Sequence, residues 1–155
     1  MSKWTHISGA VRLDCFDHKP DNEEKIRNIL GKPSTFKEPI DDCKLPEGSE
    51  GSIGYEINYT GYCEVEENFT SSSADWGVVT FHGDLRDYDS VDDIYEWAKE
   101  IYKELNKYKN GFSVRQFNIL ISLGYPESQY IIYACEWNHD TKLILKQLTP
   151  NHIKK

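Results

Sequence analysis

Ser90-Val91-Asp92-Asp93-Ile94-Tyr95-Glu96-Trp97-Ala98-Lys99-Glu100-Ile101, flanked by Trp76–Tyr88 before it and by Phe112–Leu123 and Tyr130–Trp137 after it, is the stretch whose reading decides the fold. Ser90 is the expected N-cap. Asp93, three residues on, makes the pair resemble a capping box. Asp92 and Asp93 put negative charge in the first turn, where the helix dipole favours it. Ile94, Trp97, Ala98, Ile101, Leu105 and Tyr108 recur at spacings of three and four and make one apolar stripe. Glu96, Lys99, Glu100, Lys103 and Glu104 fill the opposite, solvated side. Asn110-Gly111 ends the helix with a residue that tolerates positive φ.

The flanks alternate with period two instead. Phe117, Ile119, Ile121 and Leu123 share one side of a strand, and Asn118 and Ser122 share the other. Phe112 and Val114 are out of phase with that set, which predicts a bulge near Arg115-Gln116. Ile131, Tyr133, Cys135 and Trp137 form the next alternating set. Gly124-Tyr125-Pro126-Glu127-Ser128 joins the two strands as a hairpin turn.

Outward from this centre, residues 4–16 read as a first strand. Ile7, Val11, Leu13 and Cys15 lie on one side; His6, Ser8, Ala10, Arg12 and Asp14 lie on the other. A short helix is expected over 22–30, capped by Asp21 with Glu24 and stopped by Gly31 and Pro33. Residues 31–52 form a long loop holding Asp41, Asp42, Glu47 and Glu50, with room for a short strand at 34–36. Ile53–Tyr59 is the second strand. Residues 60–75 make an acidic, Ser-rich excursion, Trp76–His82 is the third strand, and Gly83–Tyr88 turns the chain into the central helix. A strand at 143–148 and a frayed basic tail at 149–155 close the chain. The order strand, helix, strand, strand, helix, strand predicts an α+β, ferredoxin-like β-α-β-β-α-β sandwich with an added C-terminal β-strand. Both helices would cover one face of an antiparallel sheet.

Residues 1–155 read as a single domain, with no linker or internal repeat. The formal charge of −8 argues against a phosphate-backbone binder, which needs a basic footprint. It suits a protein that meets a basic protein surface. Cys15, Cys43, Cys63 and Cys135 lack a C-x-x-C spacing, which argues against a zinc-knuckle or thioredoxin-like motif. With no signal-peptide pattern or long apolar run, the expectation is a cytoplasmic protein with reduced cysteines.

Three constellations invite a chemical reading. His6-Ile7-Ser8 matches one His-x-Ser/Thr element of two-histidine phosphoesterases, in which one His acts as base and the other as acid. The other strand histidine, His82, precedes Gly83-Asp84, so half the motif is missing. His6, His82 and Asp14 would have to converge to hold a metal, and spacing alone does not require it. In Gly83–Tyr88, Arg86 between Asp84 and Asp87 reads as a self-paired turn, with Asp84 on backbone N–H groups. The side of the sheet away from the helices would present Arg12, Glu56, Trp76, Thr80, His82, Asn118 and Leu120. Its aromatics lack the spacing that RNA-recognition sheets use to stack bases. No catalytic set, metal site or cofactor site is expected.

Met1-Ser2-Lys3-Trp4-Thr5-His6-Ile7-Ser8-Gly9, with Val11 and Arg12, resembles the opening of a group of small phage and prophage proteins. Gly48-Ser49-Glu50-Gly51-Ser52 and Gly83-Asp84-Leu85-Arg86-Asp87-Tyr88 are similar to that group as well. The resemblance implies a phage accessory protein, to which no defined activity or catalytic residue is attached. By analogy with small acidic phage proteins, the expected role is non-catalytic inhibition of a host defence protein, anti-CRISPR-like, through its basic surface. Glu47, Glu50, Glu64, Glu66, Glu67, Asp84, Arg86 and Asp87 are the candidate partner-binding residues. His6, Ser8, Arg12, Trp76 and His82 form a candidate ligand face. That face supports an alternative, binding or phosphodiester cleavage of small signalling nucleotides. A phage structural or assembly factor is a further alternative.

Overall fold

The computed structural model describes residues 2–15, 22–32, 44–60, 75–107, 111–124, 127–135 and 142–148. Their elements are β1 (Trp4–Cys15), α1 (Asn22–Leu30), β2 (Gly54–Thr60), β3 (Asp75–Arg86), α2 (Val91–Leu105), β4 (Phe112–Gly124), β5 (Glu127–Cys135) and β6 (Ile144–Leu148). The six strands form one sheet in the order β2-β3-β1-β4-β5-β6, and every neighbouring pair is antiparallel. The described residues are thus α+β, with two helices among them. The expectation of one added strand is corrected to two, so the sheet as a whole departs from the four-stranded ferredoxin-like order.

Strand alternation sets the layers. Ile7, Val11 and Leu13 of β1, Val79, Phe81 and Leu85 of β3, and Phe117, Ile119 and Ile121 of β4 are buried on one face. Ile26 and Leu30 of α1 and Ile94, Ala98, Ile101 and Leu105 of α2 are buried in the same cluster, so both helices lie on that face. Ring contacts join the layers: Trp97 meets Phe81 edge-on at 5.5 Å, and Tyr102 meets Phe117 edge-on at 5.7 Å. Two tyrosines tie loops to this layer. The Tyr55 hydroxyl donates to the Gly31 carbonyl at 2.6 Å, and the Tyr95 hydroxyl to the Leu143 carbonyl at 2.8 Å. Burial pushes the Tyr55 hydroxyl above its ordinary pKa.

α2 begins at the expected cap, where the Asp93 N–H donates to Ser90 Oγ at 3.2 Å. The helical stripe holds at Ile94, Ala98, Ile101 and Leu105; Trp97 is half-buried, and Tyr108 lies outside the described residues. Along β4 the register slips between Arg12 and Leu13 of β1, which pair with Gln116 and Val114. Arg115 is the residue left over, so the bulge falls where the phase break placed it.

Two strand readings need correction. The supposed turn at Gly83–Arg86 is strand: Gly83, Asp84, Leu85 and Arg86 pair with Ile7, His6, Thr5 and Trp4. Leu85 keeps the phase of Val79 and Phe81 and is fully buried, which rewards the extra length. In β5 the inward set is Tyr130, Ile132 and Ala134, because Ile132 pairs with Ile119 and Ala134 with Phe117. Ile131 and Tyr133 therefore face outward. The expected strand at 34–36, the Asp21 cap, the excursion at 61–74 and the tail at 149–155 lie outside the described residues.

Candidate functional site

Three segments distant in sequence meet where β1 begins and β3 ends. The loop 48–52 lies along the end of β3: the Ser49 N–H donates to the Arg86 carbonyl, and the Arg86 N–H to the Glu50 carbonyl, both at 2.9 Å. The Gly48 N–H donates to the Gly51 carbonyl at 2.9 Å and closes the loop on itself, beside a β-bridge between Glu47 and Ser52. The approach leaves no room for side chains. A Cβ on Gly51 would lie 2.0 Å from the Asp84 carbonyl oxygen, and one on Gly48 would lie 2.5 Å from that of Arg86. Gly51 also has φ +82°, a left-handed conformation that glycine adopts at little cost.

Side chains lock the same corner. The Arg86 guanidinium donates through Nη1 to Glu50 Oε1 and through Nη2 to Ser2 Oγ, the latter at 2.8 Å. Asp87, the residue after β3, lies in the left-handed region at φ 55°, which Asp tolerates better than most residues. Its carboxylate accepts from Ser49 Oγ at 2.9 Å and from the Lys3 N–H at 3.4 Å, while its own N–H donates to the Lys3 carbonyl at 2.7 Å. These bonds, the Ser49 hydroxyl foremost, hold Asp87 below the usual carboxylate pKa. The Thr5 hydroxyl donates to the Tyr88 carbonyl from below. Arg86 is thus paired within its own segment as the sequence suggested, Nε lying 3.7 Å from Asp87 Oδ2, and also to Glu50 across the corner. Asp84 accepts from the His6 ring: Nδ1 and Oδ1 are 2.5 Å apart, where the sequence suggested backbone N–H groups.

Glu47, Glu50, Asp84, Arg86 and Asp87 therefore come together, and the acids among them are exposed. Sequence reading missed Asp89 beside them and treated Asp92 and Asp93 as dipole partners only. All three are exposed, and Lys3 Nζ lies 3.8 Å from Asp89. The density was visible as five aspartates in the ten residues 84–93. Glu47, Glu50, Asp84, Asp87 and Asp89 put five carboxylates at the corner with Lys3 and Arg86, and Asp92 and Asp93 follow in the first turn of α2. Glu64, Glu66 and Glu67 lie outside the described residues.

His6, Ser8 and Arg12 point outward along β1, with His82 opposite Ser8 on β3. Trp76 pairs with Asp14 through its backbone, and its side chain lies outside the described residues. The histidines diverge. A Cβ on Gly54 would sit 3.0 Å from His82 Nε2, so that ring leans over β2, while the His6 ring is held by Asp84. Asp14 stands eight residues along β1 from His6, roughly 27 Å away in an extended strand, too far to share a metal ion. Asp14 is instead buried and ion-paired to Arg115 at the bulge. Among the described residues no group of three His, Cys, Asp or Glu side chains is arranged to hold a metal. No described helix is long and apolar enough to cross a membrane.

No protein-family model, curated protein or solved structure matches the chain.

Proposed function

We propose that the chain is a non-catalytic binding protein whose acidic corner engages a cationic surface on another protein. The observation that carries this is the corner itself: five carboxylates, Glu47, Glu50, Asp84, Asp87 and Asp89, gathered where loop 48–51 meets residues 84–86 in contacts too tight for side chains. Fixed charges cost little ordering entropy on binding, and a dense acidic field speeds encounter with a basic surface. Glu50, Arg86 and Asp87 shape the corner. Glu47, Asp89, Asp92 and Asp93 present charge outward, with Asp84 beside them held by the His6 ring and Glu64, Glu66 and Glu67 as further partner-binding candidates. The similarity of the opening and of the blocks at 48–52 and 83–88 to phage and prophage proteins supports a narrower reading. In it the partner is a host defence protein with a nucleic-acid-binding, hence basic, surface, and the chain acts inside the host cell as an anti-CRISPR-like inhibitor. We also read β1–α1–β2–β3–α2–β4, with strands in the order β2-β3-β1-β4, as a ferredoxin-like unit extended by a terminal hairpin.

The test is capture of purified defence nucleases by the tagged chain over a salt series. Binding should fall as salt rises, and Glu47→Gln/Asp89→Asn/Asp92→Asn/Asp93→Asn should slow association about tenfold or more. Capture that ignores both salt and the neutralised corner removes the proposal.

A further inference from the structure

The outer face of the sheet, away from both helices, carries the exposed large hydrophobic side chains of the described residues. Among the described residues the exposed large hydrophobics are Trp4, at 36%, and Ile144, at 47%. Strand parity puts both on this face: Trp4 is in phase with His6 and Ser8, and Ile144 pairs with outward-facing Tyr133. Leu120, Ile131 and Tyr133 lie on the strands between them and Leu148 further along β6, all four half-buried. β5 is thus apolar on both sides, as a strand is when both sides are covered.

We propose that a second copy of this chain covers this face, the two sheets packing face to face about a two-fold axis parallel to the strands. Charge selects the occupant. The chain carries −8 overall, so most contacts between two copies bring like charges together. The outer face differs. Its described ionised side chains balance, Glu56 and Asp84 against Arg12 and Lys146, while Arg86–Glu50 and Arg115–Asp14 are internal pairs.

Self-complementarity selects the axis, because a two-fold contact must fit its own image. The middle of the sheet lies between β1 and β4, so an axis there sets β1 over β4, β3 over β5 and β2 over β6 of the partner. The small column Ser8, Ala10 on β1 then receives Leu120, and Thr80 and His82 on β3 meet Ile131 and Tyr133. Glu56 at one edge is level with Ile144 of the partner subunit and comes within two residues of Lys146 of the partner subunit at the other, within reach of the long lysine side chain. At about 4.8 Å per strand and 3.4 Å per residue the face spans roughly 900 Å². Standard interfaces bury about 800 Å² per partner, and aligned sheets stack at about −30°.

Sedimentation equilibrium of the full chain tests this. The expected species has twice the 18.0 kDa mass of one chain. Leu120→Glu and Ile144→Glu, each checked for an unchanged circular-dichroism spectrum, should weaken dimerisation at least about 30-fold by burying a charge against apolar surface. Ile144 is exposed at the sheet edge, so its variant keeps the test sound should Leu120→Glu misfold. Lys146→Glu alone should weaken the dimer about fivefold, and adding Glu56→Lys should restore it. The neutralised acidic corner should leave the mass unchanged, which separates this contact from the proposed function. A single-chain mass at every concentration overturns the proposal, as does a dimer indifferent to both glutamate variants. Charge variants that fail to compensate overturn the axis.

Discussion

Phe117, Ile119 and Ile121 are fully buried, while Asn118, Leu120 and Ser122, interleaved with them on β4, stay part-exposed. The two sides of one strand differ only in what lies over them. Helices α1 and α2 cover one side, and no described element covers the other. In β5 the contrast is purer, since Ile131 and Ile132 are chemically identical and one residue apart, yet only Ile132 is fully buried. Hydrophobicity alone therefore does not choose the inner face. Pairing with β4 chooses it, through the register that aligns Ile132 with Ile119.

The contrast can be broken most directly by truncation on each side. Phe117→Ala should cost about 3–5 kcal/mol in urea denaturation, because it empties a sealed site against Tyr102. Leu120→Ala, measured at concentrations where the chain is monomeric, should cost about 1 kcal/mol, in proportion to the smaller area it withdraws from water. Equal losses would mean that the outer side is covered within one chain. The corner supplies the next effect. Gly51→Ala should cost about 2 kcal/mol, since it adds a left-handed backbone penalty to the clash with the Asp84 carbonyl. Ser90→Ala should cost about 1 kcal/mol by freeing the Asp93 N–H, with both faces of the sheet unchanged in amide exchange.

The smallest effect is a titration. The folded-state pKa of Asp87 is depressed, so its contribution is fully present above the ordinary carboxylate value and fades as pH falls through the lower folded one. Amide shifts of Lys3 and Ser49 should follow that acid transition, and Asp87→Asn should abolish their shared midpoint. Independent midpoints would mean that the corner is held by its backbone bonds alone.

Much of this architecture is legible in the residues because short-range rules set it. The Ser90 cap, the stripe through Leu105, the helix over 22–30 and the phase break at Arg115 each follow from neighbours within a few positions. What escaped reading was set by distant partners. Gly83-Asp84 looks like a turn by composition, and only the burial of Leu85 against the helices and the pairing with β1 make it strand. The inner side of β5 is undetermined locally, since both of its sets are apolar. The candidate acids at 84–87 were visible as a charge run. Their meeting with Glu50 was not, because loop 48–52 reaches them through carbonyl and amide groups that every residue shares.

The glycines of that loop bear on kinship. Gly48 and Gly51 sit where any larger residue would force two chain segments apart. A descendant that kept this architecture would keep those letters and the GDLRDY block they rest on, whatever molecule it had come to act upon. The exposed acids around them are under no such steric restraint and are free to diverge. A likeness confined to these short blocks would therefore report on the scaffold and not on the target.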